Sequence, residues 1–399
     1  MRIKKIFIFI LLFAGFLCVE NIYAQNIKDL ESRVQRLEQK FSGVNMLDGI
    51  KISAGATIII QGTANANGAG IGYKGNDRAD ASYSAEVEIE KEFDGGARTY
   101  MLFETGQGNG VTDNLEVFSN VNADADDSGG SLTLTEVWYE QNFDDSFAIT
   151  FGKINPRAYI DNNEYANDEC GRFLADIFKN SPVIESPDNT IGMRLGMPVK
   201  EFVELDMEIL DGNGDFEQVG DHPYFGLQVN IKPRLMDKKG NYRFIYWLNE
   251  TAHTKWSNAA KTKETGTGFG VSFDQEVADD IGVFLRAGWQ RDEVYLAGEG
   301  FSLDSSYSAG FQLSGNLWNR QNDILGIAYG IINPSDEYKK AGPLHADAET
   351  HFEAYYNYQI NSNVAISPDI QIITKPYGND AVNGSSAIIA AGIRTQIDF

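Results

Sequence analysis

The hydrophobic pattern of the chain changes period once. In "NIKDLESRVQRLEQKF" the apolar residues Ile27, Leu30, Val34, Leu37 and Phe41 recur at alternating spacings of three and four, the a/d seam of a pairing helix. So short a seam is marginal in isolation. The segment 25–43 therefore predicts either a periplasmic coiled-coil stalk or a helix packed on the domain C-terminal to it. From Gly49 onward the period is two. "SYSAEVEIEKEF" sets Ala85, Val87 and Ile89 against Glu86, Glu88 and Glu90. "EFVELDMEIL" sets Val203, Leu205, Met207 and Ile209 against Glu204, Asp206 and Glu208. Each such strand has one apolar and one wet face.

About sixteen segments of this kind occur, centred near 56, 87, 101, 137, 150, 194, 205, 227, 245, 271, 286, 309, 327, 355, 368 and 392. Their length approaches the roughly 9 to 11 residues with which a tilted strand crosses a bilayer. The connections alternate as well. Short links such as "DGGA", "FDDS", "VKE", "VADD" and "NSN" are interleaved with long polar stretches near 62–81, 107–131, 155–189, 211–222, 250–266, 290–304, 333–350 and 374–386. A soluble sandwich has no reason to keep that order; a transmembrane barrel has short turns at one end and long loops at the other. The predicted fold is all-β, an antiparallel transmembrane β-barrel over 49–399 preceded by the short helical segment.

The first residues, "MRIKKIFIFILLFAGFLCVENIYA", carry Arg2, Lys4 and Lys5 before an apolar run, with Ala24 as a small residue for cleavage. This is the pattern of a signal peptide over 1–24. If cleavage follows Ala24, Cys170 is the one cysteine left, and no internal disulfide can form. The last strand, "SAIIAAGIRTQIDF", sets Ile389, Ala391, Ile393, Ile397 and Phe399 on a lipid face and Arg394, Gln396 and Asp398 on the other. A terminal aromatic on an alternating strand is the expected signal to the barrel-assembly machinery of a Gram-negative outer membrane.

The formal charge of −24 excludes a nucleic-acid partner, for want of clustered Lys and Arg. Catalysis finds no support. His222, His253, His345 and His351 lack metal-ligand spacing and read as solvated, and the glycines of "GTGFG" have no strand-to-helix context for phosphate. The acidic "NADADDSGG" lacks the spacing of a calcium loop and reads as a solvated tip. No enzyme, cofactor or metal is expected.

The longest loop, within "FGKINPRAYIDNNEYANDECGRFLADIFKNSPVIESPDNTIG", is too apolar for a solvated flap. Tyr159, Tyr165, Phe173, Leu174, Ile177 and Phe178 need burial, and the lumen offers it. Inward folding into an eyelet is expected; the alternative is an outward cap. Pore-wall phase supplies Glu136, Trp138, Glu140, Asp274, Arg286, Glu353 and Arg394, and the loop supplies Asp161, Asn167, Glu169 and Arg172.

"LTLTEVWYEQNF", "FGKINPRAYIDNNEYANDECGRFL", "GFGVSFDQEVADDIGVFLRAGW", "FEAYYNYQINSNVAISPDIQII" and the terminal strand resemble the carbohydrate-selective porin family, OprB type, over about 130–399. The resemblance implies an outer-membrane barrel of sixteen strands passing sugars by passive diffusion, with charged and aromatic residues at an eyelet. Cys170 and Arg172 depart from the polar or small residues expected in "DECGRFL", which leaves the sugar open. Lipid surrounds such a barrel, and the leucine-rich seam is compatible with a homotrimer. A general or cation-favouring porin is the alternative, since the charge and the glutamate-lined faces attract cations.

Overall fold

The computed structural model describes residues 49–68, 77–125, 128–144 and 146–399. The signal peptide and the coiled-coil segment lie outside them. Alternation becomes strand wherever it was expected: β1 (Ile50–Ala64), β2 (Ala79–Phe93), β3 (Ala97–Gln107), β4 (Thr133–Phe143), β5 (Phe147–Ile154), β6 (Thr190–Lys200), β7 (Val203–Asp211) and β8 (Pro223–Ile231). Then come β9 (Arg234–Leu235), β10 (Lys238–Lys255), β11 (Glu264–Ala278), β12 (Ile281–Gln290), β13 (Val294–Leu296), β14 (Leu303–Ser314), β15 (Ile324–Pro334), β16 (Glu349–Asn361), β17 (Val364–Thr374) and β18 (Ile388–Asp398). The two short strands, β9 and β13, are additions to a wall of sixteen. Two short helices, α1 (Asp176–Lys179) and α2 (Asp336–Ala341), lie in loops.

Each wall strand pairs antiparallel with its neighbour, and β18 closes on β1 with Gly55 opposite Asp398 and Ala64 opposite Ile389. A closed barrel has no edge strand and so satisfies its backbone without water. On β18 the side chains of Ile388, Ala390 and Arg394 are buried, while Ile389 and Ile393 are exposed on the outer face. The same phase runs through β4, where Glu136, Trp138 and Glu140 turn inward.

Two loops enter the space that the wall encloses. Residues 155–189 place Ile160, Phe173, Leu174, Ile177, Phe178 and Val183 in buried positions. Small inward residues of the wall make room for them. A Cβ on Gly226 would meet Ile160 Cδ1 at 2.5 Å, one on Gly288 would meet Val183 Cγ2 at 2.5 Å, and one on Gly330 would meet Ile177 Cδ1 at 2.5 Å. Residues 108–125 accompany the loop 155–189 inward: Ala123 N donates to Leu174 O at 2.8 Å, and Asp176 N donates to Asn120 O at 3.1 Å. The acidic stretch at 122–130 is thus not a solvated tip at Asp124, whose carboxylate accepts from Ser84 Oγ at 3.0 and 2.9 Å. Two histidines also depart from the solvated reading, for His253 and His351 are each 1% exposed.

Candidate functional site

The loop 155–189 is held by side chains from the second half of the wall. Arg286 on β12 is 1% exposed. Its Nε donates to Asp161 Oδ1 at 3.0 Å, its Nη1 to Phe178 O at 2.6 Å, and its Nη2 to Asp161 O and Asn167 Oδ1, each at 2.9 Å. Asp161 is completed by Ser181 N at 2.6 Å. A charge this deep is tolerated because every contact answers it.

Glu353 on β16 accepts from Leu174 N at 2.6 Å and Ala175 N at 2.9 Å. On β18, Arg394 donates from Nη1 to Glu169 O and from Nη2 to Arg172 O, each at 2.6 Å. Asp274 on β11 accepts from Glu164 N at 3.2 Å and pairs with Arg243 at 2.5 Å. Six of the eleven residues selected from the sequence (Asp161, Asn167, Asp274, Arg286, Glu353 and Arg394) are therefore gathered into the contacts that hold the loop.

The first half of the wall is arranged differently. Tyr100 on β3 and Trp138 on β4 stack with ring centroids 5.1 Å apart and planes at 23°, and the Arg98 guanidinium lies 5.0 Å from the Trp138 ring centre. Trp138 Nε1 donates to Glu136 Oε2 at 3.1 Å. Glu140 accepts from Arg98 Nη2 at 3.0 Å, Thr150 Oγ1 at 2.9 Å and Arg194 Nη1 at 3.4 Å. Arg194 continues to Asp206 and lies 4.3 Å from the Tyr159 ring centre. Arg98, Glu140, Arg194 and Asp206 thus form a chain of alternating sign with no net charge.

Arg98, Tyr159 and Arg194 line a recess of about 760 Å³ with Glu140 and Asp206. Burial pushes the Tyr159 hydroxyl up to about 12, so it remains a neutral donor. Toward β1 and β2 a second recess, about 200 Å³, is lined by Glu86, Glu104, Asp124, Glu169 and Lys179. Glu169 and Lys179 are ion-paired and also line a third recess with Arg157 and Asp188.

Of the sequence-selected residues, then, Glu136, Trp138 and Glu140 share the first half of the wall, Glu169 faces two recesses, and the half-buried Arg172 offers its carbonyl to Arg394. Arg98, Tyr100 and Arg194 were not selected, although strand phase carries a signal for each: Arg98 and Tyr100 share the inward phase of Leu102, and Arg194 that of Gly196. Gly196 matters here, since a Cβ at that position would strike Arg194 Nη2 at 2.2 Å. Cys170 is a quiet thiol: burial pushes it well above its ordinary range, and its Sγ donates to Asp124 Oδ1 at 3.4 Å.

A family model described as "Carbohydrate-selective porin, OprB family" matches residues 213–399. The likeness quoted from the sequence is borne out across that segment; the stretches before residue 213 lie outside the match. Among curated proteins no sequence matches the chain. Among solved structures, OprB of Pseudomonas putida at high pH superposes with a TM-score of 0.75 at 16% identity, over 91% of this chain and 97% of that one. The outer-membrane channel DcaP of Acinetobacter baumannii gives 0.56 at 12% identity, over 88% and 97%. A mutant of the Rh. blastica porin gives 0.53 at 11% identity, over 88% and 100%. At such identities the likeness speaks for the fold.

Proposed function

We propose, for a chain that belongs through residues 213–399 to the carbohydrate-selective porin, OprB family, that it is an outer-membrane channel of a Gram-negative bacterium for neutral sugars and similar small polar solutes. Passage is by diffusion, without catalysis. The loop 155–189 is its eyelet, pressed to one half of the wall so that solutes pass along the other half. The observation that carries this reading is the pairing of the Tyr100–Trp138 stack with the neutral Arg98–Glu140–Arg194–Asp206 chain.

An aromatic face takes up the C–H side of a pyranose ring, and fixed donors and acceptors replace the water around its hydroxyls. Because the guanidinium and carboxylate groups answer one another, neither a cation nor an anion is strongly held. A polyol exchanges its hydrogen bonds with water for similar ones and can leave again. Trp138, Arg98, Glu140, Arg194 and Tyr159 bind and orient the solute, while Arg286, Glu353 and Arg394 position the loop that narrows the path. Recognition by the barrel-assembly machinery through the strand ending at Phe399, and a homotrimer, belong to the same reading.

One observation favours a cation-preferring porin instead: the recess near β1 and β2 offers Glu86, Glu104, Asp124 and Glu169 against Lys179. Single-channel recording in a planar bilayer separates the two. Saturable block of the current by neutral hexoses, weakened in Trp138→Leu, is the expected result. Unblocked current with a reversal potential set by cations would leave the general porin in its place.

A further inference from the structure

The wall needs sixteen strands, and β13 is not one of them. β10 runs on to Lys255 while its partner β11 begins only at Glu264, and β13 fills the gap above β11, with His253 opposite Leu296 and Lys255 opposite Val294. Beneath this ledge lies a recess of about 210 Å³ at the long-loop end, between the ends of β10 to β12, the segment 299–303 and Pro182–Glu185 of the loop 155–189. From the loop it takes only Pro182 and Glu185, and none of its lining residues lines the recess at Arg98, Glu140 and Arg194.

Its polar groups have spare capacity. Trp247 lines the recess at 1% exposure, and its indole Nε1–H has no acceptor in the protein. A buried donor left unanswered costs about 1–3 kcal/mol, which marks a place where something else accepts. His253 Nε2 meets Glu185 Oε1 at 2.8 Å and Asn249 Nδ2 donates to the same oxygen at 2.9 Å, so Glu185 is held still with Oε2 free. Gln290 is anchored through Nε2 to Leu303 O at 3.0 Å, which leaves its Oε1 free.

Opposite these groups stand fixed rings. Tyr295 packs on Trp256 at 4.2 Å between centroids, and Phe301 on Phe118 at 5.0 Å. Trp256 is itself tied by Nε1 to Ser302 Oγ at 2.7 Å. Rigid aromatic surface, one unanswered donor and two immobilised acceptors around one small cavity form a built site rather than a gap between loops.

We propose that this recess is a second binding site, at the mouth of the barrel and separate from the constriction, for a single neutral pyranose. The Trp247 indole N–H and the free oxygens of Glu185 and Gln290 bond its hydroxyls, and the Tyr295 and Phe301 rings border its apolar side. It shares with the proposed function only the class of ligand. The site raises the local sugar concentration at the mouth without sealing the path.

The test is photolabelling of the refolded full-length chain in detergent micelles with a diazirine-bearing glucoside, with and without excess glucose. Adducts are mapped by peptide mass spectrometry, and current block is recorded in parallel. The expected result is glucose-protected labelling of the peptides spanning 247–253 and 294–303, apart from labelling at Arg98, Trp138 and Arg194. Trp247→Phe should lower the mouth labelling about threefold to tenfold, as the loss of one hydrogen bond of about 1 kcal/mol predicts. Leu296→Trp, which fills the recess from its ledge, should abolish it. Both should leave the constriction labelling in place, which also reports an intact barrel.

Protected labelling at the constriction alone, or mouth labelling indifferent to both variants, overturns the proposal. Mouth labelling with no block and no label at the constriction would overturn the sugar-channel reading while upholding the mouth site. No glucose-protected label anywhere would end both.

Discussion

The two halves of the barrel wall use the same strand pattern for opposite purposes. From β8 to β18 several inward positions are glycines that admit loop side chains or charged groups that bond the loop, as with Gly226, Gly288, Gly330, Arg286, Glu353 and Arg394. From β3 to β7 several inward side chains are large and answer one another across the wall, as in Tyr100 with Trp138 and Arg194 with Glu140. An inward charge therefore does not by itself mark a solute site. What it faces decides whether it holds the loop or answers a neighbouring strand.

Four perturbations test that division, beginning with the largest expected effect. Arg286→Met leaves Asp161 buried without its guanidinium, at a cost of about 3–5 kcal/mol. The loop should become open to limited proteolysis, and single-channel conductance should rise severalfold. Next, Glu353→Ala strands two backbone N–H groups at about 1–3 kcal/mol each, with a smaller rise in conductance. Glu353→Gln, which retains one acceptor, should fall between it and the wild type.

On the other half, Trp138→Leu should leave protease resistance and conductance near the wild type. Its effect is expected in sugar block, weakened about twofold to tenfold for the loss of a stacking face worth about 0.5–1.5 kcal/mol. A variant on this half that released the loop would break the comparison.

The smallest effect is a pH dependence at the meeting of the two loops. Burial raises the Asp124 carboxyl to about 6. A carboxyl raised by folding favours the native contact most at low pH, below the ordinary value near 4, and that contribution is lost as pH rises through about 6. The protection factors of amides in residues 120–125 and 170–176, with the base-catalysed rise of intrinsic exchange divided out, should accordingly step down between pH 4 and 7. In Asp124→Asn that step should vanish, and a step that persisted would assign it to another group.

All sixteen wall strands were legible because alternation with period two is imposed locally, one residue at a time, by having lipid on one side. The phase at Glu136, Trp138, Glu140, Glu353 and Arg394 came from the same rule. The role of each residue did not, because holding the loop and answering a neighbouring strand differ only in what lies across the lumen, and that is set by which wall the loop leans on. The inward glycines of "GFGVSF" and "GIAYGI" carried that information as empty places, which read from the sequence as ordinary sheet glycines. β13 was missed for a simpler reason: three residues, Val294 to Leu296, are too few to show a period. The burial of His253 and His351 likewise depends on partners, Glu185 and Glu349, of which the first lies 68 residues away.

The seam where β18 meets β1 also governs how the molecule comes to exist. Ala64 and Ile389 are paired there, so the last ladder joins parts of the chain that are nearly as remote as its length allows, and loop-closure entropy places this step late. Until it forms, β1 and β18 present bare rows of backbone donors and acceptors, the template on which strands of other molecules add. Sealing is all or nothing: a molecule lacking only β18 would have fifteen sound wall strands and two adhesive edges, and it would aggregate rather than leak.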